Sequence, residues 1–243
     1  MYRYLYCITK VLHKQLNDMI GLENTTVRTL QYKEIMAVVS EVLLAKIPVS
    51  NESVLCHEAV VEAVQREQTV LPMRFSSVFN DDTAALQFLK NHYAVFVSDL
   101  ERLQGKLEMG IRVILGRENQ QLHNTIKHDQ ENAIKFETCK SNPGTTYLQQ
   151  RRAYYASQDE GDDRAREIVK TCHAQFEDIC VEYKRDTHTS FSQGVSLNYL
   201  IHKDSLGEFK NRFNDLKPSL NELQFMCSGP WPPYHFVSSE NSA

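Results

Sequence analysis

The sequence predicts an α+β protein of two domains, on three observations. Short runs of β-prone residues alternate with stretches of helical period. After residue 106 the order reads strand, helices, strand, strand, helix, strand, which is the split β-α-β arrangement of ferredoxin-like domains. Gly105 separates that half from a first half of related order that carries an added long helix. The predicted domains are therefore 1–105 and 106–243, the second holding a polar insertion at about 117–142 and a Gly-Pro-Trp tail at 228–243.

In the first half, Tyr2–Ile8 is rich in aromatic and β-prone residues and predicts a strand with Tyr2, Tyr4 and Tyr6 on one side. A short helical turn is expected over 13–19. Two strands follow, Val27–Tyr32 and Ile35–Val42, joined tightly at Lys33-Glu34. From Asn51, the spacing of Val54, His57, Val61 and Val64 predicts a helix, with Asn51 or Ser53 available as its cap. Val70–Phe75 is extended again, with Leu71, Met73 and Phe75 expected on one face; Pro72 makes it an edge strand or a bulge. Leu86, Leu89, Tyr93, Phe96, Leu100 and Leu103 then form one apolar stripe. They predict a single long helix that starts at Asp81-Asp82, stops at Gly105 and packs on its own sheet.

In the second half, Leu107, Met109, Ile111, Val113 and Leu115 alternate with charged or small residues, as a half-buried strand does. Residues 117–140 are dense in polar side chains. A helix is expected from Tyr147 to about Ser157, and a surface break at Asp159–Asp163. Ala165, Ile168, Cys172, Phe176, Ile179 and Tyr183 predict one further helix. Thr187–Ser192 and Val195–His202 predict a hairpin turning at Gln193-Gly194. Leu206, Phe209, Phe213 and Leu216 give a short helix closed by Pro218, and Asn221–Cys227 the last strand.

The tail Ser228-Gly229-Pro230-Trp231-Pro232-Pro233-Tyr234-His235-Phe236 holds the only tryptophan and three of the seven prolines. Proline fixes φ and lacks a donor, so this run is neither helix nor central strand. It reads as a docked strap or as a ligand for a groove.

Composition narrows the function. Apolar content of 42% and charged content of 24% belong to a folded globular chain. About 70–75% of the unfolded surface can be buried at this size, so neither disulfides nor metal is required. A net charge of −4 with scattered cations argues against nucleic acid or anionic lipid as partner. No window approaches the roughly 20 apolar residues of a membrane span, and no export signal opens the sequence. The six cysteines include no C-x-x-C pair and predict reduced thiols in a cytoplasm.

Little in the sequence carries chemistry. His57-Glu58 lacks the second histidine of a zinc helix, since position 61 is valine. It is expected as a hydrogen-bonded core histidine. Cys172-His173 and Cys180, placed on one helix two turns apart, cannot share an ion. Asp159–Asp163 lacks the ligand pattern of a calcium loop. Glu58 and Glu62 share a helical face with nothing nearby in sequence to raise either pKa. No phosphate loop or nucleophile elbow is present. Arg74, Arg151 and Arg152 are expected to bridge the domains or cap helix ends.

Four stretches in this order and spacing, however, resemble the gas vesicle protein F/L family (GvpF/GvpL), most like GvpF. They are His57–Glu62, Thr69-Val70-Leu71-Pro72-Met73-Arg74-Phe75, Gly144–Arg152 and the Gly-Pro-Trp strap. The likeness runs from Tyr4 to Tyr234. It departs at Cys7, where the family pattern has glycine, and in the insertion at 117–142.

The resemblance implies a non-enzymatic protein of the gas vesicle and cytoplasm, required for vesicle formation as a minor component or assembly factor. It implies as partners the apolar major shell protein (GvpA) and other accessory proteins, with no cofactor, metal or small-molecule substrate. Pro72, Arg74, Phe75, Trp231 and Tyr234 are the candidate partner-binding residues, since sheet edges and aromatic anchors suit such contacts. The competing expectation is a ligand-binding or enzymatic ferredoxin-like protein with a site between the domains, near His57, Arg74 or Arg151.

Overall fold

A computed structural model describes residues 1–11, 19–114, 166–185, 194–219 and 223–238. The predicted turn over 13–19 falls outside these apart from Met19. So do the 117–142 insertion, Gly144–Arg152, Asp159–Asp163 and Thr187–Ser192. The class is α+β, with two sheets. Contacts divide the chain into two compact units. One comprises Met1–Met109, Leu200–Asp204 and Gly229–Ala243, and the other Gly110–Tyr199 and Ser205–Ser228.

The first sheet has the order β2-β3-β1-β4, with β1 Tyr2–Lys10, β2 Arg28–Tyr32, β3 Ile35–Val42 and β4 Val70–Pro72. β1 pairs antiparallel with β3, from Tyr2 opposite Val42 to Lys10 opposite Ile35. A bulge lies between Leu5 and Cys7, leaving Tyr6 as the extra residue. Alternation alone would put Cys7 beside Leu5. The bulge instead sets Tyr4, Tyr6 and Cys7 in one core and Leu5 and Ile8 in the other. β2 and β3 turn at Lys33, whose φ of 52° is left-handed.

Helix α1, Asn51–Glu67, begins differently from the sequence expectation. Its cap is Ser50, which accepts from the Ser53 N–H while the Ser53 hydroxyl accepts from the Ser50 N–H. Ser53 is thus the reciprocal partner, and Asn51 is the first helical residue. The buried face carries His57, Val60, Val61 and Val64.

The expected run Val70–Phe75 is shorter as a strand. β4 stops at Pro72, at the sheet edge opposite Cys7, where a missing N–H costs nothing. Leu71 and Met73 share the predicted core, but Phe75 lies in a turn and packs in the other core. Ser76 takes a left-handed φ of 71° in that turn, and beyond it β5, Val78–Phe79, continues in the direction of β4, antiparallel to β1, and pairs with Arg3 and Tyr4. The pattern of residues did not reveal this two-residue strand.

The predicted long helix is two: α2, Asp82–Asn91, and α3, Tyr93–Arg102. His92 leaves helical geometry (φ −106°, ψ 11°), and its ring nitrogen bonds back to the Phe88 carbonyl at 3.0 Å. The apolar stripe continues through the break, so periodicity could not show it. Asp81 caps α2 through the Ala84 N–H, and Gly105 (φ 69°) ends the stripe. Asp82 pairs with Arg28 at 2.5 Å and with Arg3 on β1, tying the helix start to the sheet.

The second sheet has the order β7-β8-β6-β9, with β6 Lys106–Ile114, β7 Cys180–Arg185, β8 Val195–His202 and β9 Gln224–Trp231. In chain order both sheets therefore run second, third, first, fourth. The helix predicted to reach Tyr183 ends at 176 (α4, 166–176), and Cys180 begins a strand. Cys172 and Cys180 are thus on different elements, and Cys180–Arg185 is the first arm beside β8. The switch of period, from Ile168, Cys172 and Phe176 to alternating Cys-Val-Glu-Tyr, is visible only if the two periods are weighed separately.

Helix α5, Leu206–Ser219, joins α4 through Arg212, which bonds the Gln175 carbonyl at 3.0 Å and pairs with Asp178 and Glu208. Phe176 stacks on Phe209 at 4.4 Å, with Tyr199 against both. β9 extends through Gly229-Pro230-Trp231, four residues further than expected. It is an edge strand, which tolerates Pro230.

Candidate functional site

Two phenols on β1 face α1, and both are fully buried. Leaving a buried phenol hydroxyl without a partner is costly. The Tyr6 hydroxyl accepts the Leu22 N–H at 2.8 Å and pairs with the Ser40 hydroxyl at 2.8 Å. The Tyr4 hydroxyl accepts the Ser76 N–H at 3.1 Å and lies 2.9 Å from His57 Nδ1. From the tail, the Tyr234 hydroxyl donates to Glu58 Oε1 at 3.0 Å and lies 3.3 Å from His57 Nε2. The His57 ring is 1% exposed, stacks on Tyr6 and meets Phe75 edge-on.

These contacts fix the proton positions. Tyr234 gives its one hydroxyl proton to Glu58, so at His57 it can only accept. Nε2 therefore carries the imidazole proton, Nδ1 is bare, and Tyr4 donates to it. Burial lowers the His57 pKa to about 4, against an opposing hydrogen bond to the Met73 carbonyl. Burial also pushes Tyr4, Tyr6 and Tyr234 above the ordinary phenol range, and the Glu58 carboxylate adds to the rise at Tyr234. Glu58 itself is raised by burial, although Tyr234 pulls the other way. Spacing along the helix gave no cause for that rise; the fold supplies one.

At neutral pH the cluster is thus a neutral imidazole between protonated phenols, with both ring nitrogens engaged. Such an arrangement specifies geometry. The Cys7 thiol is pushed upward by complete burial and is inert. Among the described residues no group of three or more histidine, cysteine or acidic side chains could hold a metal ion.

The structure brings some of the residues singled out from sequence together and separates others. His57, Glu58, Phe75 and Tyr234 converge, with Phe75 also against Tyr4. Pro72 is buried at the sheet edge, Arg74 is exposed, and Trp231 is 44% exposed. Arg151 and Arg152 lie outside the described residues.

Two acids that sequence reading passed over hold the rest of the strap. Glu108, 3% exposed, accepts the His235 N–H at 2.9 Å and meets His235 Nδ1 at 2.6 Å. Asp99, also 3% exposed, accepts from the Ser238 N–H and hydroxyl at 2.8 and 3.0 Å and pairs with Arg102 at 2.9 Å. Arg102 also donates to the Phe236 carbonyl. A signal existed for Asp99: three residues after Phe96 and four before Leu103, a carboxylate sits on the apolar stripe of its helix.

A scan against family models matches residues 2–238 to the gas vesicle synthesis protein GvpL/GvpF family. The chain belongs to that family, which places it among gas vesicle proteins. Gas vesicle protein L of a Streptomyces species is 28% identical over 192 residues, covering 74% of this chain and 67% of the relative. Gas vesicle protein F of the same species is 26% identical, covering 98% and 100%. Gas vesicle protein F1 of Halobacterium salinarum is 22% identical, covering 98% and 92%. The crystal structure of GvpF from Anabaena sp. PCC7120 superimposes with a TM-score of 0.74 at 18% identity, covering 98% of this chain and 96% of that one. GvpF from Microcystis aeruginosa gives 0.73 at 17% identity, covering 98% and 99%. The fold is therefore that of GvpF.

Proposed function

We propose that this chain acts without catalysis in gas vesicle formation, as a minor component or assembly factor that engages the apolar major shell protein (GvpA) and other accessory proteins. The family match across residues 2–238 carries this reading. The site chemistry supports it, since the polar cluster around His57 is spent on internal bonds. The gas vesicle within the cytoplasm is the proposed location; among the described residues no helix is long and apolar enough to cross a membrane. The shared strand order of the two sheets supports the ferredoxin-like reading, and we divide the domains near residue 105 on that ground.

A contact surface for a water-averse subunit needs exposed apolar side chains. Leu43, Leu44, Val49 and Leu55 supply them between the end of β3 and the first turns of α1, with Val49 81% exposed. The register of β1 on β3 sets exposed Met1 beside Leu43. We assign this patch as a contact for the shell protein, in addition to Pro72, Arg74, Phe75, Trp231 and Tyr234 as named from sequence. The test is capture of purified shell protein by the intact chain, repeated with Leu43→Asp plus Val49→Asp and with Trp231→Ala plus Tyr234→Ala. Binding should fall at least tenfold in the first pair. Unchanged buoyancy after deletion of the gene, or turnover of a metabolite by the pure protein, overturns the reading.

A further inference from the structure

After Trp231 the strap leaves the sheet and is held within its own unit by a set of separate anchors. Tyr234 donates to Glu58, His235 to Glu108 and Ser238 to Asp99, so three carboxylates along the groove each accept from the strap. Between them Phe236 is completely buried among core residues including Leu100 and Leu103. The strap keeps its own shape through two internal bonds, Tyr234 N–H to the Pro232 carbonyl at 2.8 Å and Phe236 N–H to the Pro233 carbonyl at 3.0 Å. It is a preformed unit with few, discrete attachments, and such a unit transfers between identical molecules at low cost.

We propose that this groove is a peptide-recognition site for an aromatic-x-aromatic segment that offers N–H and O–H donors, and that the strap of a second copy of this chain enters it by exchange. The groove demands a ring for the Phe236 hole, a hydroxyl for Glu58 and paired donors for Glu108 and Asp99. The strap meets each demand, so every other copy carries a matching occupant. Its own strap competes at an effective concentration on the order of millimolar. Exchange therefore emerges when the attachment in cis is weakened. This inference stands apart from the shell-protein reading and does not need it.

The test is complementation between two full-length variants. Tyr234→Phe with Ser238→Ala weakens the strap and leaves the groove intact. Asp99→Asn with Glu108→Gln weakens the groove and leaves the strap intact. Each alone should be monomeric by light scattering, and an equimolar mixture should form 1:1 dimers that a synthetic peptide of residues 231–238 dissolves. A mixture that stays monomeric while both variants show the circular dichroism of the parent overturns the proposal. So do dimers that the peptide leaves unchanged. Should either variant fail to fold, the labelled peptide is titrated against the unmodified chain. Saturable binding at least tenfold tighter than that of the Tyr234→Ala, Phe236→Ala peptide supports the site, and equal binding of the two peptides overturns it.

Discussion

On one face of the first sheet, Leu5, Ile8, Ala37 and Val39 meet Leu89, Phe96 and Leu100 in an apolar core under α2 and α3. On the other, Tyr4, Tyr6 and Ser40 meet His57 under α1, and the packing is threaded by hydrogen bonds. The strands are the same and the burial is equally complete. An apolar face tolerates many arrangements of similar volume, whereas a polar one is satisfied only when each partner is in place. The second face therefore fixes the Ser76 part of the Met73–Val78 turn and the Tyr234 end of the strap, while Phe236 and Ser238 are held on the side of α3.

The largest expected effect tests the apolar face. Phe96→Ala should cost about 3–5 kcal/mol in urea unfolding, through lost burial and a cavity. A loss below 1 kcal/mol would show that this core is loosely packed.

The next concerns His57. Its folded pKa of about 4 lies below the free value of 6.5, so the folded state binds fewer protons between those limits. Stability should fall as pH drops through that window, by roughly 3 kcal/mol once it is crossed. His57→Gln should flatten the dependence of the urea midpoint on pH between 6.5 and 4; an unchanged slope would locate it elsewhere.

Smaller effects test single attachments. A Cβ at Gly21 would lie 2.2 Å from the Tyr6 hydroxyl, so Gly21→Ala should cost about 1–3 kcal/mol. Combining it with Tyr6→Phe should give less than the sum of the two, because the clash and the bond involve one oxygen. Strict additivity would separate Gly21 from the polar face. Ser50→Ala should cost only about 1 kcal/mol, as loss of an exposed helix cap on neither core, and serves as the reference for both.

The apolar face was legible because its signals are periodic. Leu86 to Leu103 and the apolar run of β3 can be read without knowing any distant partner. The break at His92 was hidden by that same regularity. On the polar face, only the sidedness of Tyr4 and Tyr6 and the position of His57 on α1 could be read in advance. Tyr234 lies 177 residues from His57, and Ser76 lies 72 from Tyr4, so no local pattern announces those bonds. Phe75 was assigned to the wrong face because strand alternation was carried past Pro72 into a turn. Glu108 looked like the solvent side of a half-buried strand until the strap covered it.

The bulge at Tyr6 works like a skipped tooth in a zip fastener. Were Tyr6 kept but the bulge pressed flat into even meshing, Cys7 and everything after it on the strand would turn inside out, presenting Ile8 to the tyrosines' side and Thr9 to the greasy one; deleting Tyr6 would leave those residues facing as they do. That one unmatched residue thus lets Tyr4, Tyr6 and Cys7 share a side while Ile8 still reaches the apolar core.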